Sequence, residues 1–368
     1  MERKILFLAD FSSIHIYNYF KEVKKLQSFD IVGITPCNKK IRSEYLDFYK
    51  SLNIKIIYGL FDEKKSVVSR IASLFFLLKH IGTFDVVHIH YLKFEYVLPL
   101  ICMRKKIRKI IISFWGSDLF RSSKRQFFFI NHLLAVADEI TFITEDMRSY
   151  YIQNYLVDKD ILNKISILDF GNSFYEAIDS KMKECDLNVG KKINVTIGYC
   201  GRPEMQQFLV VQILAELPLC LRDKIRVLIP AWGINPSLLK KIEDLLLNSK
   251  MDYEIFDYFM GPDEVAVLRC NTSIFINAQK TDALSNAMLE HIYAGSVVVN
   301  GGWLKYSLLE KCGIFYCGFD SFKDLLYVIP QIIDDFDTYK KKSLHNRLKI
   351  KAKTSWNYWI PLWEKLYN

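Results

Sequence analysis

The chain contains two series of short, apolar, β-branched runs that alternate with helical patterns. The first series is KILFLA (4–9), FDIVGIT (29–35), IKIIY (54–58), DVVHIH (85–90), KIIISF (109–114) and EITFIT (139–144). The second is NVTIGYC (194–200), IRVLIPA (225–231), TSIFIN (272–277) and SVVVN (296–300). Runs that are apolar on both faces are typical of strands buried in parallel sheets between helices. The pattern predicts an α/β protein with two doubly wound, Rossmann-like sheets.

Two sheets indicate two domains, and a length of 368 residues agrees because a single core rarely organises so long a chain. The polar stretch from Asp179 to Lys192 has no apolar period and is interpreted as the linker region. We predict an N-terminal domain over residues 1–178 and a C-terminal domain over residues 190–345, facing each other across a cleft.

Residues 346–368 are predicted to form a C-terminal helix. Trp356, Trp359 and Trp363 are spaced i, i+3 and i+7, which places them on one helical face. Pro361 should kink this helix or mark a break in it. The aromatic face is expected either to pack on a nearby core or to cross back to the N-terminal domain.

The composition is that of a globular cytoplasmic protein. Half of the residues are hydrophobic and a quarter are charged. Lys4 to Ala9 is too short an apolar run for a signal peptide, and no apolar run approaches the ~20 residues of a membrane span. The eight cysteines form no CxxC pair, which favours reduced thiols.

The net charge of +9 is concentrated in two zones, which suggests an anionic partner. Residues 93–125 contain nine Lys/Arg and two acids, and residues 340–353 contain seven Lys/Arg and no acid. Within RSSKRQFFF (121–129), basic residues beside phenylalanines suit an anionic membrane surface. RNA and a solvated helix face over a core are the alternatives, but no nucleic-acid module is recognisable, so no nucleic acid is expected as a partner.

Two segments of the C-terminal domain carry candidate ligand residues. Gly201 and Arg202 follow a strand and precede a helix, where backbone N–H groups, the helix dipole and a guanidinium favour a diphosphate. A plain structural turn is the alternative. The second segment places Asp282 before a helix and Glu290 eight residues later within it. A carboxylate can accept hydrogen bonds from ribose or sugar hydroxyls.

The residues around this acid pair favour a site. Ser285 and Asn286 would begin the helix, with free N–H groups suited to a phosphate. The alternative makes Asp282 an acid that complements the helix dipole and Glu290 a surface residue. Apolar neighbours of Glu290 leave it little room on a solvent face.

These motifs resemble the retaining GT-B glycosyltransferases of glycosyltransferase family 4. The resemblance rests on Asp282-x7-Glu290, the following Tyr293-Ala294-Gly295 and Val-rich strand, and Gly201-Arg202. Further similar segments are FMGPDEVAVLRC (259–270), GIFYCGFDSFKDLLYVI (313–329), LADFSSIH (8–15), FDVVHIH (84–90) and FWGSDLF (114–120). The last three resemble cleft segments of sugar transferases from bacterial surface-polysaccharide clusters, so the resemblance spans almost the whole chain.

The resemblance implies roles for individual residues. Together with the position of the loop and helix after a strand, it gives these candidate donor-binding residues: Gly201, Arg202, Gln279, Lys280, Asp282, Leu284, Ser285, Asn286 and Glu290. It implies acceptor-binding roles for Ser12, Ser13, His15, His90, Trp115 and Gly116, and catalytic roles for Asp118, His15 and Asp282. Glu290 would hold the ribose and Asp282 the sugar hydroxyls. Arg202 and helix N-termini would neutralise the diphosphate in place of a metal.

This chain departs from the family pattern at three positions. The first acid is Asp, Gln206 and Gln207 replace the lysine that usually follows Gly-Arg, and Trp115 replaces a histidine. Lys280 is a candidate for the second cation. The segment Trp115 to Asp118 also resembles inverting GT-B enzymes, including the 4-acetamidofucose transferase, so retention and inversion both stay open.

Three other residues have competing interpretations. His88 and His90 share a strand face, but no third ligand completes a metal site, so no metal is expected. Asp118 is either a base or orienting residue for the acceptor or the N-cap of a helix that begins near Phe120. His15 either contacts a substrate or only begins a helix.

Together, the motifs predict a metal-independent glycosyltransferase that moves a hexosyl or N-acetylhexosaminyl unit from a nucleotide sugar to a glycan or polyprenyl-linked acceptor, such as an O-antigen or capsule precursor. The donor is a substrate and no cofactor is expected; UDP, GDP and TDP all remain open. The enzyme would lie on the cytoplasmic face of the plasma membrane. A nucleotide-sugar 2-epimerase and a non-catalytic sugar-nucleotide-binding subunit are the alternatives.

Overall fold

The computed structural model describes residues 3–35, 40–58, 66–155, 158–184 and 192–368. The chain divides into two compact units, Met1–Gly171 with Trp356–Asn368, and Asn172–Ser355. The divisions fall at 171 and 355 rather than at 178 and 345, because residues near both points pack inside the second unit. Tyr175 Oη, for example, lies 2.6 Å from Thr354 Oγ1. Among the described residues, no helix is long and apolar enough to cross a membrane.

Within the described residues, the first unit contains a parallel sheet of seven strands in the order β3-β2-β1-β4-β5-β6-β7. The strands are β1 (Lys4–Leu8), β2 (Asp30–Thr35), β3 (Lys55–Tyr58), β4 (Phe84–His90), β5 (Ile107–Ser113), β6 (Glu139–Phe142) and β7 (Ile165–Ile167). All six predicted strands form. The seventh was missed because it has three residues, all of them half-buried.

The helices of the first unit alternate with its strands. They are α1 (Ile14–Glu22), α2 (Ser43–Ser51), α3 (Val67–Ile81), α4 (Val97–Cys102), α5 (Ser117–Phe120), α6 (Lys124–Val136), α7 (Glu145–Asn154) and α8 (Lys159–Leu162). Short 3₁₀ helices occupy Lys24–Ser28, Phe94–Tyr96 and Arg104–Lys106.

The C-terminal helix α19 (Trp356–Lys365) belongs to the core of this first unit. Trp356, Trp359 and Trp363 are all buried, which confirms the predicted apolar face. The helix continues through Pro361, so it does not break there, and the alternative of a kink at Pro361 stays a prediction. Burial of three tryptophans offsets the roughly 3 kcal/mol that an internal proline costs a helix.

The second unit contains a parallel six-stranded sheet in the order β10-β9-β8-β11-β12-β13, as far as the structure describes it. The strands are β8 (Ile193–Ile197), β9 (Ile225–Pro230), β10 (Asp252–Phe256), β11 (Ile274–Asn277), β12 (Val297–Gly301) and β13 (Cys317–Phe319). The four predicted strands form. β10 and β13 were missed because they lie at the sheet edges, where no continuous apolar run is needed.

Helices also alternate with the strands of this second sheet. They are α9 (Tyr175–Glu184), α10 (Gln207–Ala215), α11 (Leu219–Arg222), α12 (Pro236–Asn248), α13 (Pro262–Asn271), α14 (Asn286–Ala294), α15 (Ser307–Lys311), α16 (Leu325–Asp334), α17 (Phe336–Leu344) and α18 (Asn346–Thr354), with 3₁₀ helices at Pro203–Met205 and Phe322–Asp324.

Helix α9 corrects the interpretation of residues 179–192 as linker. Residues up to 184 are helical, and 185–191 lie outside the described residues. The polar side chains of this helix are used internally: Asp179 accepts a hydrogen bond from Tyr293 (2.7 Å) and pairs with Arg347. A helix stabilised by ion pairs lacks the apolar period that sequence analysis looks for.

Each sheet reverses its strand order at one place, between β1 and β4 and between β8 and β11. In open parallel sheets, ligands bind beyond the carboxyl ends of the strands at this point. The segments that follow these strands contain most of the candidate residues of each unit.

Candidate functional site

The Gly201–Arg202 turn follows β8 and is anchored at its glycine. Gly201 N–H donates to Trp232 O (3.0 Å), and a Cβ at Gly201 would lie 2.4 Å from Ala231 O, so a larger residue would displace the turn. Helix α10 does not follow immediately: a 3₁₀ turn and Gln206 in the left-handed conformation (φ 54°) come first. The Arg202 side chain is exposed.

Gln206 and Gln207 occupy the place of the family lysine and have structural partners. Gln206 Nε2 donates to Ala278 O (2.7 Å), which ties the turn to the loop after β11. Gln207 is buried, and its Nε2 donates to Ile197 O and Pro230 O at the ends of β8 and β9. These neutral amides hold the turn in place and supply no positive charge.

Lys280 lies on the same side as Arg202. The two cations line one pocket of about 180 Å³, together with Gln206, Leu209 and Leu238 among others. Lys280 N–H also donates to Glu204 O (2.9 Å), so the backbone joins the two cationic segments. The structure therefore brings together two of the predicted donor-binding residues, Arg202 and Lys280.

Asp282 lies farther along the loop after β11, with a half-buried side chain. Its Oδ2 accepts a hydrogen bond from the buried Tyr306 hydroxyl (2.9 Å). Burial raises the pKa of Asp282 to about 7, although the hydrogen bonds from Tyr306 and from the Ala283 N–H oppose this rise. A carboxylate with such a pKa changes its charge near neutral pH.

Helix α14 begins where the sequence predicts. Ser285 is its N-cap, and Ser285 Oγ accepts from Met288 N–H (3.2 Å). Asn286 is the first helical residue, and Leu284, before the cap, is largely buried. The first N–H groups of this helix lie beside the Asp282 loop, in a position suited to an anion.

Glu290 is buried rather than on the surface, and both of its carboxylate oxygens have partners. Oε2 accepts from Arg269 Nε (3.0 Å), and Oε1 accepts from Asn172 Nδ2 (3.4 Å). Arg269 Nη1 also donates to His291 Nε2 (3.1 Å). Burial raises the pKa of Glu290, and the Arg269 guanidinium opposes that rise. Glu290 therefore forms an internal ion pair that a ribose would have to displace.

Gln279, on the loop after β11, has a buried side-chain amide with one unsatisfied donor. Its side chain is 3% exposed, Oε1 accepts from Tyr199 Oη (3.4 Å), and Nε2 has no acceptor among the described residues. Trp303 Nε1 donates to Gln279 O (2.8 Å), which fixes the backbone of the loop. A buried donor without an acceptor is costly and indicates room for a ligand group.

Two exposed aromatic residues follow the neighbouring strands β9 and β10. Trp232 and Phe259 are about half exposed and form an edge-to-face pair with ring centroids 5.2 Å apart. Trp232 O is also the acceptor of the Gly201 N–H. An aromatic surface thus adjoins the Gly-Arg turn.

In the first unit, Asp118 holds two loops together. Oδ1 accepts from the N–H groups of Trp115 and Gly116 (both 2.9 Å), and Oδ2 accepts from Leu92 N–H (3.0 Å). Helix α5 begins at Ser117, so the N-cap interpretation is wrong: Asp118 lies in the first turn and binds the residues before it. Burial raises the pKa of Asp118 to about 6, against the opposing backbone hydrogen bonds.

His15, His90 and Trp115 lie together at the carboxyl ends of β1, β4 and β5. The Trp115 ring centroid is 5.5 Å from that of His15 and 6.1 Å from that of His90. Neither ring nitrogen of His90, nor Trp115 Nε1, has a hydrogen-bond partner in the described part of the chain. Burial lowers the pKa of His90 to about 3 and also lowers that of His15, so both rings are neutral at physiological pH.

The two serines before His15 have local roles. Ser12 donates to Asp10 Oδ1 (2.6 Å). Ser13 is the N-cap of α1 and accepts from His15 N–H (3.3 Å). They shape the loop that carries His15 and engage nearby backbone or side-chain groups.

His88 is not available as a metal ligand. Its Nδ1 lies 2.5 Å from Tyr367 Oη and its Nε2 lies 2.8 Å from Ser113 Oγ. In the described ranges, no group of three His, Cys, Asp or Glu side chains is arranged to hold a metal.

Tyr306, Asn277, Asn300 and Trp303 were missed by the sequence analysis. Asn277 and Asn300 are paired in register near the ends of β11 and β12. A signal was present, because IFIN and VVVN each place a polar residue at the carboxyl end of an apolar strand. No signal marked Tyr306, whose contact with Asp282 joins loops from different strands.

Residues 4–144 match the family described as glycosyl transferase 4-like. No curated protein matches the chain. Solved structures similar over the full length include a glycosyltransferase from Rickettsia africae, 14% identical with a TM-score of 0.74, covering 100% of this chain and 98% of that one. Sucrose-phosphate synthase from Thermosynechococcus elongatus is 11% identical with a TM-score of 0.73, covering 99% and 98%. HepE from Anabaena, in complex with UDP and glucose, is 10% identical with a TM-score of 0.72, covering 99% of both chains.

Proposed function

We propose that the chain, whose residues 4–144 match the glycosyl transferase 4-like family and whose fold is that of GT-B enzymes, is a glycosyltransferase. It transfers a sugar from a nucleotide-sugar donor to a glycan acceptor on a lipid carrier. The observation that carries the donor assignment is that Arg202 and Lys280 line one pocket at the switch point of the second sheet, with Asp282 on the same loop as Lys280. Two exposed cations match a diphosphate, and a carboxylate two residues from Lys280 matches sugar hydroxyls.

In our proposal, the diphosphate lies at Arg202 and Lys280, and the nucleoside extends from there toward Trp232 and Phe259. Arg202, Lys280 and the first N–H groups of α14 neutralise the diphosphate. Gln279 Nε2 donates to a donor oxygen and thereby gains the acceptor it lacks. The base stacks on the Trp232–Phe259 surface beside the Gly-Arg turn. HepE, which binds UDP and glucose, supports a nucleotide sugar as the substrate class.

The first unit supplies the acceptor groups. His90, Trp115 and His15 offer neutral hydrogen-bonding groups and an aromatic surface, which suit a sugar ring with its hydroxyls. Asp118 is assigned a positioning role, because both of its oxygens are already hydrogen bonded to backbone N–H groups.

The reaction breaks the bond between the sugar anomeric carbon and the diphosphate oxygen and forms a bond from that carbon to the acceptor hydroxyl. Arg202 and Lys280 stabilise the charge that develops on the leaving diphosphate. We propose retention at the anomeric carbon, with the leaving phosphate oxygen taking the acceptor proton. An inverting reaction would instead need a protein base near the acceptor.

The proposed location is the cytoplasmic face of an anionic membrane. In α6, Lys124, Arg125, Phe128 and Phe129 are all exposed, and we call these four residues the α6 face. The Phe129 ring contacts that of Phe94 (centroids 5.8 Å apart) beside α4, a helix that contains no charged residue. Exposed phenylalanines beside lysine and arginine match an interface of acyl chains and anionic headgroups.

A thermal-shift screen of nucleotide sugars tests the donor assignment. One nucleotide family should stabilise the protein by about 2.7 kcal/mol at a hundredfold excess over Kd, and Arg202→Ala with Lys280→Ala should abolish the shift. Transfer to a polyprenyl-linked acceptor should then persist in EDTA. Turnover of the donor to a second nucleotide sugar without acceptor would identify an epimerase, and binding without turnover would identify a non-catalytic subunit.

A further inference from the structure

A network of hydrogen bonds runs from Asn300 through Asn277 and the Tyr306 hydroxyl to Asp282. Asn300 Nδ2 donates to Gly301 O (3.0 Å) and Leu304 O (3.2 Å), which orients Asn300 Oδ1 toward Asn277. The two protons of Asn277 Nδ2 have their shorter contacts with Asn300 Oδ1 (2.9 Å) and Tyr306 Oη (3.2 Å), while Met288 Sδ, a weak acceptor, lies at 3.5 Å. Since Tyr306 receives a hydrogen bond from Asn277, its single proton is directed to Asp282 Oδ2 (2.9 Å).

The three residues that precede Asp282 in this hydrogen-bond network are buried. Asn277, Asn300 and Tyr306 are each at most 2% exposed, and the two asparagines end neighbouring, register-paired strands. A buried network in which every member has a partner has one stable arrangement. It therefore fixes the position of Oδ2 of the half-buried Asp282. The carboxylate also accepts from the Ala283 N–H, and its remaining lone pairs can accept from a ligand.

We propose that Tyr306 is a positioning residue of the donor site: its hydroxyl holds one oxygen of Asp282, favours the ionised form of the carboxylate and orients the carboxylate toward a donor sugar hydroxyl. The proposal rests on the role given to Asp282 under the proposed function. It assigns no contact between Tyr306 and the substrate.

The surroundings agree with this assignment. Among the described residues, the recorded partners of the Asp282 carboxylate are the Tyr306 hydroxyl and the Ala283 N–H. Lys280, Arg202 and Lys305 are the charged side chains on the neighbouring segments, and all three are exposed. Tyr199 is the further titratable group that acts on Tyr306. The hydroxyl of Tyr306 thus has more influence on the ionised form of Asp282 than these solvated charges.

Urea unfolding of the unliganded protein between pH 6 and pH 9 tests the proposal without a donor. The pKa of Asp282 is raised to about 7 in the folded state. Because the carboxyl group ionises at lower pH in the unfolded state, the free energy of unfolding falls as the pH rises toward 7 and recovers as the pH is lowered. Tyr306→Phe should raise that pKa by about one further unit, because a hydrogen bond to a charged group is lost. The stability lost in the variant should therefore grow as the pH rises from 6 to 8.5.

Two comparisons separate positioning from a purely structural role. In an Asp282→Asn background, the loss caused by Tyr306→Phe should no longer depend on pH. Tyr293→Phe is the matched control, since this buried hydroxyl of the same unit donates to Asp179 (2.7 Å), whose pKa is lowered. Its loss should be constant over this range, because Asp179 stays ionised.

A pH-independent loss in Tyr306→Phe, equal in both backgrounds, would overturn the proposal and leave Tyr306 as a packing residue. The same osmolyte concentration in every sample keeps the comparison valid if a variant is marginally stable. Because no nucleotide is present, failure of the donor screen and failure of this test are independent results.

Discussion

At the scale of single residues, Glu290 shows how a motif position can acquire a different role from its environment. The family resemblance implies a ribose contact, whereas the carboxylate is 5% exposed and paired with Arg269 and Asn172. Removing one partner of a buried ion pair leaves the other charge uncompensated. The stability of a Glu290 variant therefore reports on the ion pair with Arg269, and its nucleotide affinity reports on the ribose contact.

We predict that Glu290→Gln lowers the free energy of unfolding by about 3 kcal/mol, since Arg269 loses its charged partner. The measurement is urea unfolding, followed by nucleotide titration of the folded variant. Glu310→Gln, on the exposed side of α15, is the control and should change stability by less than about 0.5 kcal/mol. Unchanged stability combined with lost nucleotide affinity would show that Glu290 faces the ribose instead.

At the scale of elements, the C-terminal segment is held in the first unit by polar as well as aromatic contacts. Tyr367 Oη lies 2.6 Å from Tyr19 Oη and 2.5 Å from His88 Nδ1, and all three side chains are buried. Trp363 Nε1 donates to Asp169 O (2.8 Å), and Lys109 Nζ donates to Leu366 O (2.7 Å). These hydrogen bonds restrict the position of α19 in the first unit more than its apolar face alone would.

Tyr367→Phe should destabilise the first unit by about 2–4 kcal/mol, because Tyr19 and His88 each lose a buried hydrogen-bond partner. Thermal or urea unfolding monitored by tryptophan fluorescence measures this loss, since the three tryptophans of α19 pack in this core. Tyr358→Phe, at an exposed position of the same helix, should have little effect. Equal stability of both variants would mean that the aromatic face alone determines the docking of α19.

At the scale of the whole molecule, the two basic zones of the sequence differ in the structure. The zone at residues 340–353 is largely used inside the second unit: Lys340 donates to Gly295 O, Lys349 to Gly313 O, and Arg347 and Lys351 pair with Asp179. Lys342 lies over the Phe315 ring. This zone therefore stabilises helix ends and ion pairs, and the α6 face with the neighbouring Arg121 is the better candidate for an anionic partner.

We predict that the protein sediments with vesicles of phosphatidylcholine and phosphatidylglycerol but not with phosphatidylcholine alone. Replacing Arg121, Lys124 and Arg125 with Ser should weaken binding about a hundredfold, at roughly 1 kcal/mol per basic residue. Replacing Phe128 and Phe129 with Ser should weaken it further by removing apolar insertion.

Two matched variants of the second unit serve as controls for vesicle binding. Lys240, Lys241 and Lys323 are exposed, and their replacement with Ser removes the same charge as the α6 variant. Leu247 and Tyr327 are exposed apolar residues that match the two phenylalanines. If the control variants lose as much binding as the α6 variants, the attraction depends on net charge and not on the α6 face.

The sequence by itself determined the elements whose signal is local. The ten predicted strands, the cap at Ser285 and the buried tryptophan face of α19 all follow from patterns within a few residues, since buried strands and helix faces impose their own periodicity. Those patterns also defined the α/β class and the GT-B resemblance, which is confirmed. The short or edge strands β7, β10 and β13 were not predicted, because a partly exposed strand needs no continuous apolar run.

Only the tertiary structure decided how distant residues use one another. Glu290 and Arg269 are 21 residues apart, Asp282 and Tyr306 are 24 apart, and His88 and Tyr367 are 279 apart. Whether a carboxylate binds a ligand, an arginine or a tyrosine depends on which groups burial brings within about 3 Å. A sequence pattern gives the chemistry of each side chain, but desolvation and the choice of partner arise only after the sheets and helices have packed.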